Sequence, residues 1–292
     1  MDINYYSARR KLAATSLLSL EGVIPNDIGE ILTEAKRLDT MSRFKEKTDF
    51  LCKQCVLLYT DEPSSVFRVA FESAVTFSGG KTVVMPIGGN ENDGFIENVK
   101  ISASLGALAT FIHAKNERYH KSVSGADGFF VNAGDKDSPL SALTSLYCLY
   151  QKYGKLKGLK VALVGDLNCV TSSTAIALSK CETALSIVAP DDSLPDKAVL
   201  DYLSQFTDVA CETSFDKAIK TADAVFYLDD FGIEYAMTDD RYSSNGEPTI
   251  FTAGPIDLSQ KAEEARKALA FDTARSASSV TRAILSLLSE TR

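Results

Sequence analysis

Residues 131–167, VNAGDKDSPLSALTSLYCLYQKYGKLKGLKVALVGDL, read as the end of one strand, a tight loop, a long helix, a basic turn and a second buried strand that opens on Gly165-Asp166. A single helix, placed at 138–154, therefore joins two sheet-forming halves. Clefts between two such halves are where α/β proteins usually hold small molecules.

On the N-terminal side, apolar runs alternate with helical periodicity. Ile28, Ile31, Leu32, Ala35 and Leu38 recur at helix spacing after Pro25-Asn26-Asp27. Residues 54–60 form a buried strand candidate, Val66 to Phe77 a helix stopped by Ser78-Gly79-Gly80, and 82–85 a strand. Pro86 to Gly94 reads as a glycine-rich, mobile loop, followed by a helix over about 95–105 and strands at 107–112 and 128–131. On the C-terminal side, strands are expected at 159–164, 184–190, 209–211, 224–228 and 249–253. The helices expected between them start near Thr171 or cover 194–203 and 215–220. Val280, Ile284, Leu287 and Leu288 share one face of an amphipathic closing helix over 278–290. The alternation predicts α/β architecture, with two doubly wound parallel-sheet domains joined by a linker helix. The expected boundaries are 1–137, with 276–292 packing back on it, then 138–154 and 155–275.

The formal net charge of −8 argues against a general nucleic-acid or anionic-membrane binder, since neither offers cations to meet. No apolar run reaches the ~18 residues needed to span a bilayer. The first twenty residues lack a signal-peptide core, so the chain reads as cytoplasmic. Of six cysteines, Cys52 and Cys55 make a C-x-x-C. With no second such pair and only His113 and His120 as histidines, core packing is the expectation rather than a redox pair or metal site.

A resemblance emerges from EPSSVFRVAFESA at 62–74, VNAGD at 131–135, SPLSALTSLY at 138–147, LKGLKVALVGDL at 156–167, IVAPDDSLPD at 187–196 and RSASSVTRAILSLL at 275–288. Together they resemble the aspartate/ornithine carbamoyltransferase family, nearer the catalytic chains of its aspartate branch, over almost the whole chain. The resemblance implies an N-terminal carbamoyl-phosphate domain and a C-terminal amino-acid domain. It implies a trimer with active sites between subunits, transfer of carbamoyl from carbamoyl phosphate to an amine, and neither metal nor cofactor.

It also implies a site that this sequence lacks. The family's arginine-rich S-T-R-T-R turn is matched by Ser64, Ser65, Val66, Phe67 and Arg68, which keep the helix start and two hydroxyls but only the second arginine. The H-P-T-Q run becomes Ser138-Pro139-Leu140-Ser141, the preceding strand arginine falls near His113, and a neighbouring subunit's lysine falls near Glu91. Two carboxylate-gripping arginines fall at Thr171 and Asp229, and the H-P-L-P loop becomes Thr252-Ala253-Gly254-Pro255. A dianionic phosphate wants a helix N-terminus and guanidinium groups, so these substitutions point to a fold without its carbamoyl-transfer site. The chain is then a trimeric assembly or regulatory subunit, a mixed partner of an active paralogue or regulatory chain, or a binder of a less anionic molecule. A transferase with a remodelled site and another acceptor is the alternative.

Candidate substrate-side residues are Ser64, Ser65, Arg68, His113, Ser138, Ser141, Thr171 and Asp229. Beside each stands a plainer reading. Ser64 and Ser65 suit helix capping, Arg68 a surface ion pair, His113 a hydrogen-bonded strand end, and Asp229-Asp230 a solvated loop. Gly165-Asp166 lacks the glycine pattern of a dinucleotide site. Tyr147, Tyr150 and Tyr153 read as packing between the halves.

Overall fold

The computed structural model describes residues 11–44, 48–62, 64–87, 94–115, 118–134, 138–167, 172–228, 231–253 and 256–290. The chain divides into two compact units, Met1–Tyr147 with Ala274–Arg292, and Cys148–Thr273. Helices α5 (Pro139–Tyr153) and α10 (Gln260–Ser289) each contribute residues to both.

Unit 1 holds α1 (Pro25–Arg43), β1 (Cys55–Thr60), α2 (Val66–Phe77), β2 (Lys81–Pro86), α3 (Gly94–Ser104), β3 (Ala109–His113), α4 (Arg118–Ser122) and β4 (Phe130–Asn132). Its four parallel strands lie in the order β2-β1-β3-β4. Alternate residues of the buried strands feed opposite faces. Leu57, Tyr59 and Ile112 pack with Val99 and Ala103 of α3, while Phe111 meets Phe71 of α2 edge-on at 4.9 Å. The N-terminal arm reaches the outer side of β4, where Leu17 N donates to Phe130 O at 2.8 Å and Asn132 N to Leu17 O at 3.0 Å. Buried Asp27 holds that arm by accepting from Ala13 N and Ala14 N at 3.0 and 2.8 Å. Gly134 needs to be glycine, because a Cβ there would run into the backbone of Ala114.

Unit 2 holds β5 (Lys160–Val164), α6 (Ser173–Lys180), β6 (Ala184–Val188), α7 (Lys197–Leu203), β7 (Val209–Glu212), α8 (Phe215–Ile219), β8 (Ala224–Tyr227), α9 (Asp239–Ser244) and β9 (Thr249–Thr252). The order is β7-β6-β5-β8-β9, again all parallel. The expected two parallel-sheet architecture is therefore present. Both sheets reverse their direction of growth once, between β1 and β3 in unit 1 and between β5 and β8 in unit 2. Beyond the carboxyl ends of the strands at such a reversal, an open α/β sheet offers its ligand crevice.

Several local expectations change. The closing helix begins at Gln260 rather than 278. Its first half is polar and rests on helix-forming residues and on Glu263, which pairs with Arg266 at 2.6 Å and Lys267 at 3.4 Å. Pro195 separates a short 3₁₀ turn at Asp191–Ser193 from α7, which starts at Lys197. Tyr147 donates to Asp39 at 2.7 Å, and Tyr153 to Asp223 O at 2.7 Å, so each hydroxyl bonds within its own unit. The C-x-x-C is not a core element. Cys52 is exposed on a turn, whose Lys53 has a φ of 64°, and Cys55 is half-buried. Cys211 is exposed too, and Cys148 is buried. The loop expected to be mobile, 86–94, lies mostly outside the described residues, including Glu91.

Candidate site at the carboxyl end of the first sheet

Strands β1 and β3 run side by side to a shared end, with Thr60 in register with His113. Apolar runs bring both residues there, and each run then gives way to polar residues. The Thr60 hydroxyl accepts from Glu62 N at 3.0 Å and lies 3.1 Å from His113 Nδ1, so its own proton is available to that nitrogen. Asp61 N donates to His113 O at 3.3 Å, and Asp61 Oδ2 accepts from Lys115 N at 2.9 Å. Lys115 Nζ also pairs with Glu62. The two strand ends are thus laced together through side chains and backbone.

Helix α2 starts over this end. Ser65 is its N-cap, accepting from Arg68 N at 3.3 Å, and Ser64 is exposed. Capping is thus the observed work of Ser65. Arg68 pairs with Glu72 one turn on, at 2.8 Å. Val66, matched to the family's first arginine, is 71% exposed. Phe67, matched to a hydroxyl, lies flat on the His113 ring with centroids 4.5 Å apart and planes 19° apart. The stack continues inward to Phe71 at 6.0 Å and then to Phe111. At the start of α5, Ser138 is buried and serves as cap. Its hydroxyl accepts from Ser141 N at 3.1 Å and donates to Ser141 Oγ at 2.9 Å.

Among the described residues, Asp61 and Glu62 put two carboxylates at this strand end beside the Lys115 ammonium, while Arg68 on α2 pairs with Glu72. Burial pushes the His113 pKa below its ordinary 6.5. Glu62 and Asp61 oppose that shift, while His120 and Lys115 add to it. The result is a neutral, stacked imidazole. Its unfolded counterpart takes up a proton first as pH falls, so the folded state loses stability from about pH 6.5 downward and keeps it above. Urea unfolding across pH 7.5–5 should show the wild type losing ground to His113→Gln in that window. Parallel curves would show that burial does not hold His113 neutral.

Thr60, Asp61, Glu62 and Lys115 were not anticipated; the sequence signal was a threonine closing an apolar run just before two carboxylates. Ser64, Ser65, Arg68 and His113 come together at one end of unit 1, and Ser138 and Ser141 bond to each other. Thr171 and Asp229 lie outside the described residues, as do Asp230, Gly254 and Pro255. Cys181 offers no thiolate, since burial and the neighbouring Glu182 push its pKa up to about 12. Among the described residues, no cluster of histidine, cysteine and carboxylate could hold a metal ion, and no helix is long and apolar enough to cross a membrane.

No protein-family model matches the chain. Curated proteins do match it. It is 27% identical over 198 residues to the aspartate carbamoyltransferase catalytic subunit of Methanococcus vannielii, covering 64% of this chain and 65% of that one. It is 28% identical over 231 residues to the ornithine carbamoyltransferase of Pyrococcus abyssi, covering 74% and 71%. This chain is a relative of the aspartate and ornithine carbamoyltransferases. Solved carbamoyltransferases share its fold. The ornithine enzyme of Pyrococcus furiosus superposes with a TM-score of 0.79 at 19% identity, covering 96% of this chain and 97% of that one. The aspartate transcarbamoylase catalytic subunit of M. jannaschii gives 0.76 at 20%, covering 96% and 99%. The sequence match to the Methanococcus carbamoyltransferase thus spans just under two thirds of that protein, whereas the carbamoyltransferase fold extends over nearly the whole chain.

Proposed function

We propose that this carbamoyltransferase relative does not transfer carbamoyl from carbamoyl phosphate, and that it serves as an assembly or regulatory subunit in the cytoplasm or holds a less anionic small molecule. The observation that carries this reading is the Phe67–His113 stack. It places two uncharged rings, flanked by Asp61 and Glu62, where the relatives' named chemistry calls for fixed positive charge. Ser138 gives its hydroxyl proton to Ser141 Oγ, so the residue matched to the family's histidine does not stand ready to polarise a carbonyl. The retained α2 N-terminus with Ser64 and Ser65 favours the alternative, a remodelled transferase acting on another amine.

Assembly has its own support in unit 1. Val66, Val69 and Phe77 form one outward stripe of α2, at 71, 66 and 69% exposure. Beside it β2 is an edge strand, with Val83 and Met85 partly exposed. Such a stripe beside an open edge suits a second copy of the chain, in a homotrimer or beside an active paralogue. A thermal-shift series with carbamoyl phosphate, and with the bisubstrate analogue that joins it to aspartate, should leave the melting temperature unchanged, and native mass should show more than one chain. Stabilisation by several degrees with either ligand would restore the enzyme reading.

A further inference from the structure

The second sheet also has a carboxyl-end segment fixed by the chain's own side chains. After β8, residues 231–237 turn through Gly232 (φ 83°) and a short 3₁₀ turn at Ile233–Tyr235 before entering α9. Arg241, on α9, reaches back across this segment. Its Nη1 donates to Glu234 O at 3.0 Å and to Ala236 O at 2.8 Å. Its Nε and Nη2 make a two-pronged contact with the Asp216 carboxylate on α8, at 2.7 and 3.1 Å. The guanidinium carbon sits 5.2 Å from the centre of the Phe215 ring. One planar cation thus meets a carboxylate, two carbonyls of the same turn and a π-face, which together match what a guanidinium recognises.

We propose that Arg241 is an intramolecular latch, a positioning residue whose guanidinium acts as a built-in cationic ligand and holds residues 232–237 against α8. Other bonds help to locate the segment. Tyr227 donates to Tyr235 O at 2.9 Å, Tyr235 to Thr213 O at 3.4 Å, and Ser259 N to Met237 O at 3.1 Å. The first two bind at Tyr235 and the third at the segment's end, whereas Arg241 grips the carbonyls of Glu234 and Ala236, on either side of Tyr235. Ile233, at the tip, is 87% exposed and anchors nothing. The segment leaves β8, which borders the reversal point of the second sheet, so its arrangement is set before any ligand arrives. This inference is independent of whether unit 1 binds carbamoyl phosphate.

The test is hydrogen exchange of the full chain, read peptide by peptide. In Arg241→Ala, peptides covering 232–237 should exchange about tenfold faster or more, because opening that once broke charge-assisted bonds becomes local and cheap. Peptides of β5, β6 and β8 should stay close to wild type. Millimolar methylguanidinium, which fits the vacated carboxylate, carbonyls and ring, should restore much of the protection, while the same concentration of sodium chloride should not. Arg241→Lys should recover only part, since an ammonium cannot fork onto Asp216 and still reach both carbonyls. Unchanged exchange at 232–237 in Arg241→Ala, or faster exchange that methylguanidinium leaves untouched, overturns the latch. If Arg241→Ala does not fold, Asp216→Asn decides, because that carboxylate is exposed and its loss should still speed exchange at 232–237. Wild-type exchange there would equally overturn it.

Discussion

Supplied with carbamoyl phosphate and either aspartate or ornithine, the purified chain is expected to form no carbamoylated product above the blank, and Val66→Arg should not change that. A hydrogen bond to a charged group contributes about 1.5–3 kcal/mol. Three absent phosphate or carbonyl contacts therefore remove on the order of 5–9 kcal/mol, or roughly 10³- to 10⁶-fold in rate or binding. One restored guanidinium at position 66 returns a single contact. It would also start from an exposed position, 71% open to solvent, where an ion pair is weak. The obstacle next to it stays in place, since Phe67 lies on His113 and Asp61 and Glu62 face the same point. Phe67→Thr combined with Val66→Arg addresses both charge and space, yet Ser138 remains where the family pattern has histidine. A large rate gain from Val66→Arg alone would refute the matching of residues 64–68 to the family's phosphate turn.

Replacing Arg282 with alanine should destabilise unit 1 by about 2–4 kcal/mol, measured as a shift in urea midpoint at unchanged slope. Arg282 is 6% exposed on α10, and burial lowers its pKa. Its partners are three hydroxyls, Ser42 Oγ and Thr48 Oγ1 at 2.8 Å and Ser78 Oγ at 3.4 Å. Each hydroxyl proton is already committed to a backbone carbonyl, Ser42 to Leu38 O, Thr48 to Phe77 O and Ser78 to Ala74 O. All three oxygens are thereby fixed as acceptors, and only a donor with several N–H groups satisfies them together. Alanine leaves two buried acceptors, Thr48 and Ser78, without that donor, while the exposed Ser42 can turn to water. Methionine fills the volume but leaves the same acceptors unmet, and lysine can serve them only in part. The relief of an unfavourable buried charge offsets some of the loss, which keeps the estimate below that for a broken buried ion pair. A change within about 0.5 kcal/mol for Arg282→Ala would show that these contacts carry no net weight.

The strands were legible because parallel strands covered on both faces are short, continuous apolar runs, as QCVLLYT and LKVALV are. The helix over Val66–Phe77 was equally plain, with a serine cap before it and glycines after it. The first half of α10 was not, since QKAEEARKALAF has no sustained apolar stripe and its helicity rests on propensity and near-neighbour charge pairs. In the site, the loss of arginine at Val66 could be read from residue type. The Phe67–His113 stack could not, because it depends on the register that sets Thr60 beside His113, forty-six residues after Phe67 in the chain. Arg241 gave no signal, since its partners are backbone carbonyls and a carboxylate twenty-five positions away. The C-x-x-C misled because cysteine's usual burial says nothing about a turn in which the residue after Cys52 takes a left-handed backbone.

Leu17, clipped onto the outer side of β4, closes that flank of the four-stranded sheet with the chain's own backbone. Strand-by-strand polymerisation demands two templates per molecule, one to receive and one to offer. Among the described residues this sheet presents only β2 as a free template, so once that flank is taken, growth terminates. The arm thus leaves the four-stranded sheet with one open edge instead of two.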